Sequence, residues 1–220
     1  MKLVIFNGSP RVGKSNSKFF IDSFNNGYSS STSNECESFF LSYTDRFDEY
    51  IKHFLEADTI IFVFPLYTDA MPGMVKLFFE SLENQEMSKK KIGFIVHSGF
   101  PESAQSDCVK KYLKRFVEII NCDYIGTVVK GGSESLQFVP DKMKDKVLMD
   151  FYNLGYSFGE NGVFDSKITA KLAKPYKFNF FTLFMFRILN SLKVFDIHWN
   201  GILKKNRALD KRYDRPYLRK

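Results

Sequence analysis

A phosphate could be gripped near the start of this chain. Gly8-Ser9-Pro10-Arg11-Val12-Gly13-Lys14-Ser15 follows the apolar run Leu3-Val4-Ile5-Phe6 and leads into Asn16-Ser17-Lys18-Phe19-Phe20-Ile21. A buried strand, a tight glycine turn and a helix start, in that order, aim several backbone N–H groups and a helix N-terminus at one point. Two ligands suit the residue types. Taken as G-x-x-x-x-G-K-[ST], the octapeptide has the form of a nucleoside-triphosphate loop. Taken with Asn16 and Ser17, it offers Ser9, Arg11, Ser15, Asn16 and Ser17 as hydroxyls, an amide and one cation for a single monophosphate.

The strand ends decide between them, because ligands of open α/β sheets bind outside the carboxyl ends of the strands, at the topological switch point. A triphosphatase needs a carboxylate at the end of a second apolar strand to hold magnesium. Here Thr59–Phe64 runs into Pro65-Leu66-Tyr67-Thr68, and Lys91–His97 runs into Ser98-Gly99-Phe100; Asp58 precedes its strand and falls at the wrong end of the sheet. Pro65 to Thr68 offer rigid backbone and an aromatic face, and Ser98 to Phe100 offer bare backbone that a flat ring can approach closely. The expectation is a planar, neutral ring carrying one phosphate.

These loops need a sheet to hold them. Short apolar runs at Leu3–Phe6, Glu37–Leu41, Thr59–Phe64, Lys91–His97 and Tyr124–Val129 each read as strands covered on both faces. Helices are expected between and after them at 15–25, 45–56, 73–84, 103–120 and 141–159, with Asp141 as an N-cap after Pro140. In the fourth helix Val109, Tyr112, Leu113, Phe116, Val117 and Ile120 form one apolar stripe, with Lys114 and Arg115 on its outer part. Alternation of this kind implies a parallel sheet with right-handed crossovers. We expect an α/β, doubly wound five-stranded sheet of flavodoxin-like order 2-1-3-4-5 over residues 1–162. The Ser/Asn-rich stretch Asn25–Asn34 reads as a loop, and Gly131-Gly132 as a turn after the fifth strand.

Three widely spaced cysteines, Cys36, Cys108 and Cys122, form no metal or disulfide pattern and are expected to be ordinary buried residues of a reducing, cytoplasmic compartment. His97 is expected to be a core histidine, and Lys14 a solvated first-turn residue. No catalytic acid, base or nucleophile constellation is apparent, and no metal site.

Asn7-Gly8-Ser9-Pro10-Arg11, Ser15-Asn16-Ser17, Pro65-Leu66-Tyr67, Met71-Pro72-Gly73, Lys76 and Ser98-Gly99-Phe100-Pro101-Glu102 follow one another in an order and spacing that resemble the NAD(P)H-dependent FMN reductase and quinone reductase family of flavodoxin-like proteins. The likeness covers residues 1 to about 160. It implies FMN as cofactor and NAD(P)H as reductant. By position, Ser9, Arg11, Ser15, Asn16 and Ser17 would hold the FMN phosphate. Pro65, Leu66, Tyr67 and Thr68 would lie along the ring, and Ser98, Gly99 and Phe100 would flank its other edge. An electron carrier without NAD(P)H turnover is the alternative within the same fold.

The net charge of +7 belongs to one end of the chain. Residues 165–220 hold 14 Lys/Arg against 4 Asp/Glu, a local +10, while residues 1–164 hold 18 against 21, a local −3. The extension 163–220 is also aromatic: Phe178, Phe180, Phe181, Phe184 and Phe186 are followed by Phe195, and Phe181, Phe184, Ile188, Leu192 and Phe195 fall at helical spacing. The stripe is expected to pack on its own domain or on a second subunit, and a homodimer surface would bury it at least cost. An anionic membrane surface is the second expected occupant. No nucleic-acid partner is expected, although Lys204, Lys205, Arg207, Lys211 and Arg212 form a basic run.

Overall fold

In the computed structural model, residues 2–31, 36–83, 85, 87, 90–137, 141–175, 180–215 and 217 are described. β1 (Leu3–Asn7), β2 (Cys36–Phe40), β3 (Thr59–Pro65), β4 (Lys91–His97) and β5 (Asp123–Lys130) form a parallel sheet in the order β2-β1-β3-β4-β5. The order departs from sequence between β1 and β3, so the loops after those strands face each other across the switch point. All five strands lie within two residues of their expected bounds; β1, β3 and β4 are buried almost throughout, whereas the edge strands β2 and β5 are only partly buried, each having a neighbour on one side alone.

Successive residues of each strand point to opposite faces. One face carries Val4, Phe6, Ile60, Phe62, Phe64, Ile92, Phe94 and Val96 into a core with α2 (Phe47–Glu56), α3 (Gly73–Ser81) and α4 (Asp107–Ile119). Phe6, Phe62 and Phe94 sit in register on three neighbouring strands, and their rings stack at 5.3 and 5.7 Å. In α4, Val109, Leu113 and Val117 are buried and Phe116 stacks on Phe79 at 4.1 Å, whereas Tyr112, expected in the stripe, is half exposed.

Leu3, Ile5, Ile61, Val63, Ile95 and Val128 line the other face, under α1 (Asn16–Ser31) and α5 (Asp141–Asn161). The Asn25–Ser31 part of the expected loop is helical here, and tertiary packing is the reason. A Cβ on Gly27 would lie 1.9 Å from the Tyr152 carbonyl oxygen, and one on Gly155 would lie 1.9 Å from that of Phe24. The two backbones touch at these glycines, with Phe20 stacked on Phe151 at 4.2 Å and Tyr28 buried beside Phe158. That contact holds residues of poor helix propensity in α1. Asp141 is the first residue of α5 rather than its cap, and Pro140 lies outside the described residues. Cys108 is exposed and Cys36 and Cys122 are only partly buried, correcting the expectation of buried cysteines; burial still pushes the Cys36 thiol up to about 12.

The compact unit runs on to Tyr176, beyond the expected end at 162. α6 (Ser166–Leu172) is the cause: Asp165 caps it by accepting the Ile168 amide at 2.8 Å, and Leu172 is buried in the core beneath α1 and α5. A second unit, 177–220, contains α7 (Phe180–Ser191) and α8 (Val194–Lys205). Lys193, at φ 54°, breaks the helix between them, so the expected stripe from Phe181 to Phe195 is divided over two helices. Phe178 and the Phe195 side chain lie outside the described residues.

Candidate functional site

The loop after β1 is held tightly from beneath. Asn7, buried at the strand end, accepts the Ser9 amide on Oδ1 at 2.9 Å, and the Ser9 hydroxyl accepts the Arg11 amide at 3.3 Å. Gly8 passes so close to β3 and α3 that an added Cβ would lie 2.3 Å from Val75 Cγ2. Val12 sits at φ 47°, a left-handed conformation that a β-branched residue adopts at a cost of about 1–3 kcal/mol. Ser15 then starts α1: its hydroxyl accepts the Lys18 amide at 3.2 Å and donates to the Val12 carbonyl at 2.8 Å. With Ser15 as cap, the first-turn amides of Asn16 and Ser17 project from the helix N-terminus, where an anion is favoured.

Two further loops face this one. Leu66 extends the β3–β4 ladder, its amide donating to the His97 carbonyl at 2.7 Å. Tyr67 and Ala70 then bridge each other at 2.9 and 3.1 Å, with Thr68 at φ 46° and Asp69 at φ 64° forming the turn. After β4, the Ser98 amide donates to the Lys130 carbonyl at 3.0 Å, and the Phe100 carbonyl accepts the Gly132 amide at 2.7 Å. The loops border an open cleft lined by Ser9, Arg11, Ser15, Asn16, Pro65, Leu66, Tyr67, His97, Ser98, Gly99, Ser133 and Glu134.

His97 forms the floor, and its proton positions can be read from its partners. Ser133 spends its hydroxyl hydrogen on the Ser98 carbonyl at 2.9 Å, so it accepts from His97 Nδ1–H, also at 2.9 Å. Nε2 is left to accept the Ser17 hydroxyl at 2.7 Å. The chain Ser17–His97–Ser133–Ser98 thus clamps α1, β4 and the β5 loop together through a neutral ring. Burial, helped by the Arg11 charge, lowers the His97 pKa to about 3. A second tie runs from Asn16 Nδ2 to the Ser133 carbonyl at 2.8 Å, while Asn16 Oδ1 is buried without a hydrogen-bond partner. Arg11 Nη1 reaches Glu134 Oε1 at 3.3 Å across the rim, with both side chains half exposed.

The family model that matches residues 1–147 is described as a flavodoxin-like fold. The chain belongs to that family. No curated protein matches this flavodoxin-like chain. Solved structures that resemble it include an NAD(P)H:quinone oxidoreductase from Methanothermobacter marburgensis, at 16% identity and a TM-score of 0.58, covering 72% of this chain and 96% of that one. An FMN-dependent NADH-azoreductase from Bacillus anthracis in complex with FMN matches at 18% identity and a TM-score of 0.54, covering 79% and 99%. At such identities the likeness speaks for the flavodoxin-like fold alone.

Of the residues expected at the site, Ser9, Arg11, Ser15, Asn16, Pro65, Leu66, Tyr67, Ser98 and Gly99 line the cleft of the flavodoxin-like unit. Ser17, Thr68 and Phe100 do not. Ser17 turns inward to His97, Thr68 occupies a turn, and the Phe100 ring is exposed. His97, Ser133 and Glu134 belong to the cleft and were not expected there. For the last two, the Gly131-Gly132 turn was the available signal, since a loop after β5 ends at the same sheet edge as the loop after β1. Lys14 is exposed and is not among the cleft residues, and Asp58 holds the Lys2 amide at 2.8 Å at the opposite edge.

Proposed function

We propose that this protein is an FMN-dependent NAD(P)H oxidoreductase that passes electrons to a flavin, quinone or similar acceptor. The observation that carries this reading is the donor set. The Ser9 hydroxyl hydrogen, the first-turn amides of α1 and a single arginine suit a monophosphate dianion rather than a triphosphate with its magnesium, the Ser15 hydroxyl being spent on the Val12 carbonyl. Glu134, the one carboxylate among the described cleft residues, is already paired with Arg11. The unpartnered Asn16 Oδ1 is an acceptor, which suits a hydroxyl of a ribityl chain better than a phosphate oxygen. Pro65, Leu66 and Tyr67 on one side, with Ser98 and Gly99 on the other, offer the uncharged walls that a flat ring needs.

Bound FMN would supply hydride acceptance from the nicotinamide and delivery of electrons onward. The chain's own residues position and shield it. Arg11 would hold the phosphate, the Ser17–His97–Ser133 clamp holds the two flanking loops at fixed separation, and half-exposed Tyr67 would provide an aromatic wall for the ring. Because His97 is neutral and both its nitrogens are engaged, it orients these loops and transfers no proton. The names of the structural neighbours support the reductant and cofactor.

Titration of the purified protein with FMN tests the site, and Arg11→Ala should weaken binding by about 1.5–3 kcal/mol. Unchanged FMN affinity alongside lost ATP binding would favour the triphosphate loop. Anaerobic NADH or NADPH should bleach the flavin absorbance of the loaded protein. Reduction by dithionite alone would move the protein to the electron carriers.

A further inference from the structure

We propose that residues 177–220 form an interfacial anchor that lies on anionic lipid bilayers. This inference is independent of what the cleft holds. The unit contains 11 Lys/Arg against 3 Asp/Glu, a net +8, whereas residues 1–176 carry 21 against 22, a net −1. Most of the large apolar side chains among its described residues are exposed. Phe180 is 84% exposed, Phe181 69%, Leu192 67%, Ile197 72% and Trp199 58%, and Leu183, Phe184 and Phe186 are also exposed.

Length excludes a span. α7 and α8 have 12 residues each, roughly 18 Å against a hydrocarbon core of about 30 Å. Among the described residues no helix is long and apolar enough to cross a membrane. Short helices carrying Phe, Leu and Trp beside Lys and Arg, broken by a left-handed Lys193, suit the plane of the headgroups, where rings enter the acyl boundary and cations meet lipid phosphates.

Charge selects this occupant over the others. A second copy would bring two +8 surfaces together, whereas an anionic leaflet attracts each Lys or Arg near it by roughly a factor of five in partitioning. A nucleic acid would use the cations, but it has no counterpart for aliphatic Leu183, Leu192, Ile197 and Ile202. A bilayer uses both features.

Trp199 is the chain's single tryptophan and so reports on this unit alone. The full-length protein should float with vesicles of phosphatidylcholine containing about one-third phosphatidylglycerol, with its tryptophan emission moving to the blue. It should not float with pure phosphatidylcholine, and salt near 0.5 M should cut partitioning by on the order of tenfold. Lys204→Glu with Lys205→Glu should weaken partitioning by about tenfold or more. Phe181→Ser with Phe184→Ser should reduce the blue shift while leaving the melting of the sheet unit unchanged. Unchanged emission and no flotation would overturn the proposal. So would a dimer in sedimentation velocity that dissociates in the phenylalanine variant while vesicles are ignored. Duplex DNA binding that survives that variant, again without flotation, would assign the cations to nucleic acid instead.

Discussion

Phe6, Phe62 and Phe94 are wholly enclosed between strands and helices, while Phe180, Phe181 and Phe184 stand largely in the open. The residue type is the same; the number of opposing faces differs. In the sheet unit, each apolar side chain on a strand meets a helix that is itself apolar on one side. Among its described residues, the second unit has apolar side chains over most of the surface of α7 and only α8 as a helix of comparable length to cover them. A hydrophobic sequence therefore stabilises a fold only when the topology supplies a second face. A surplus beyond that demands a surface outside the chain.

The comparison breaks most directly at its centre. Phe62→Ala should cost about 3–5 kcal/mol in urea unfolding, because the ring touches Phe6, Phe94 and Phe79 and a cavity would remain. A loss below 1 kcal/mol would mean that the phenylalanine row is not the centre of the core. Acid tests the clamp beneath the cleft. His97 is held neutral in the folded protein with a pKa near 3, while the unfolded chain takes up the proton near 6.5. Its contribution is complete above pH 6.5 and is lost as pH falls from 6.5 toward 3, at up to about 1.4 kcal/mol per pH unit. His97→Gln should flatten that dependence in denaturation measured between pH 4 and 7.

Asp165→Ala removes the α6 cap and should cost about 1 kcal/mol, read as a lower melting temperature of the first unit. The smallest effect is expected from Phe181→Ser, within about 0.5 kcal/mol by urea denaturation, since a largely exposed ring contributes little to the folded core. A large loss of stability there would show that α7 is covered within the chain, and would remove the contrast between the regions.

Strand positions and the tight turn from β1 into α1 could be read from the chain because each depends on neighbours in sequence, and the sheet order followed from the alternation of strands and helices. An apolar run buried on both faces, a glycine turn and a capped helix are local statements. So was the absence of a carboxylate after β3 and β4, which directed the reading toward a monophosphate. The division of the tail at Lys193 escaped because helical spacing continues through the break, and only the left-handed turn reveals two helices. The helical path through Asn25–Ser31 needed Gly27 to meet α5 more than a hundred residues later, and intrinsic propensity opposed it. The same distance hid the cleft floor. His97 ends a strand that looks like core, and nothing near it in sequence names Ser17 or Ser133 as partners, 80 and 36 residues away. Local periodicity thus determined which elements form and at which sheet edge the cleft opens. Only the tertiary structure, by closing long loops and desolvating the groups they bring together, decided which side chains face the cleft and which one is held neutral beneath it.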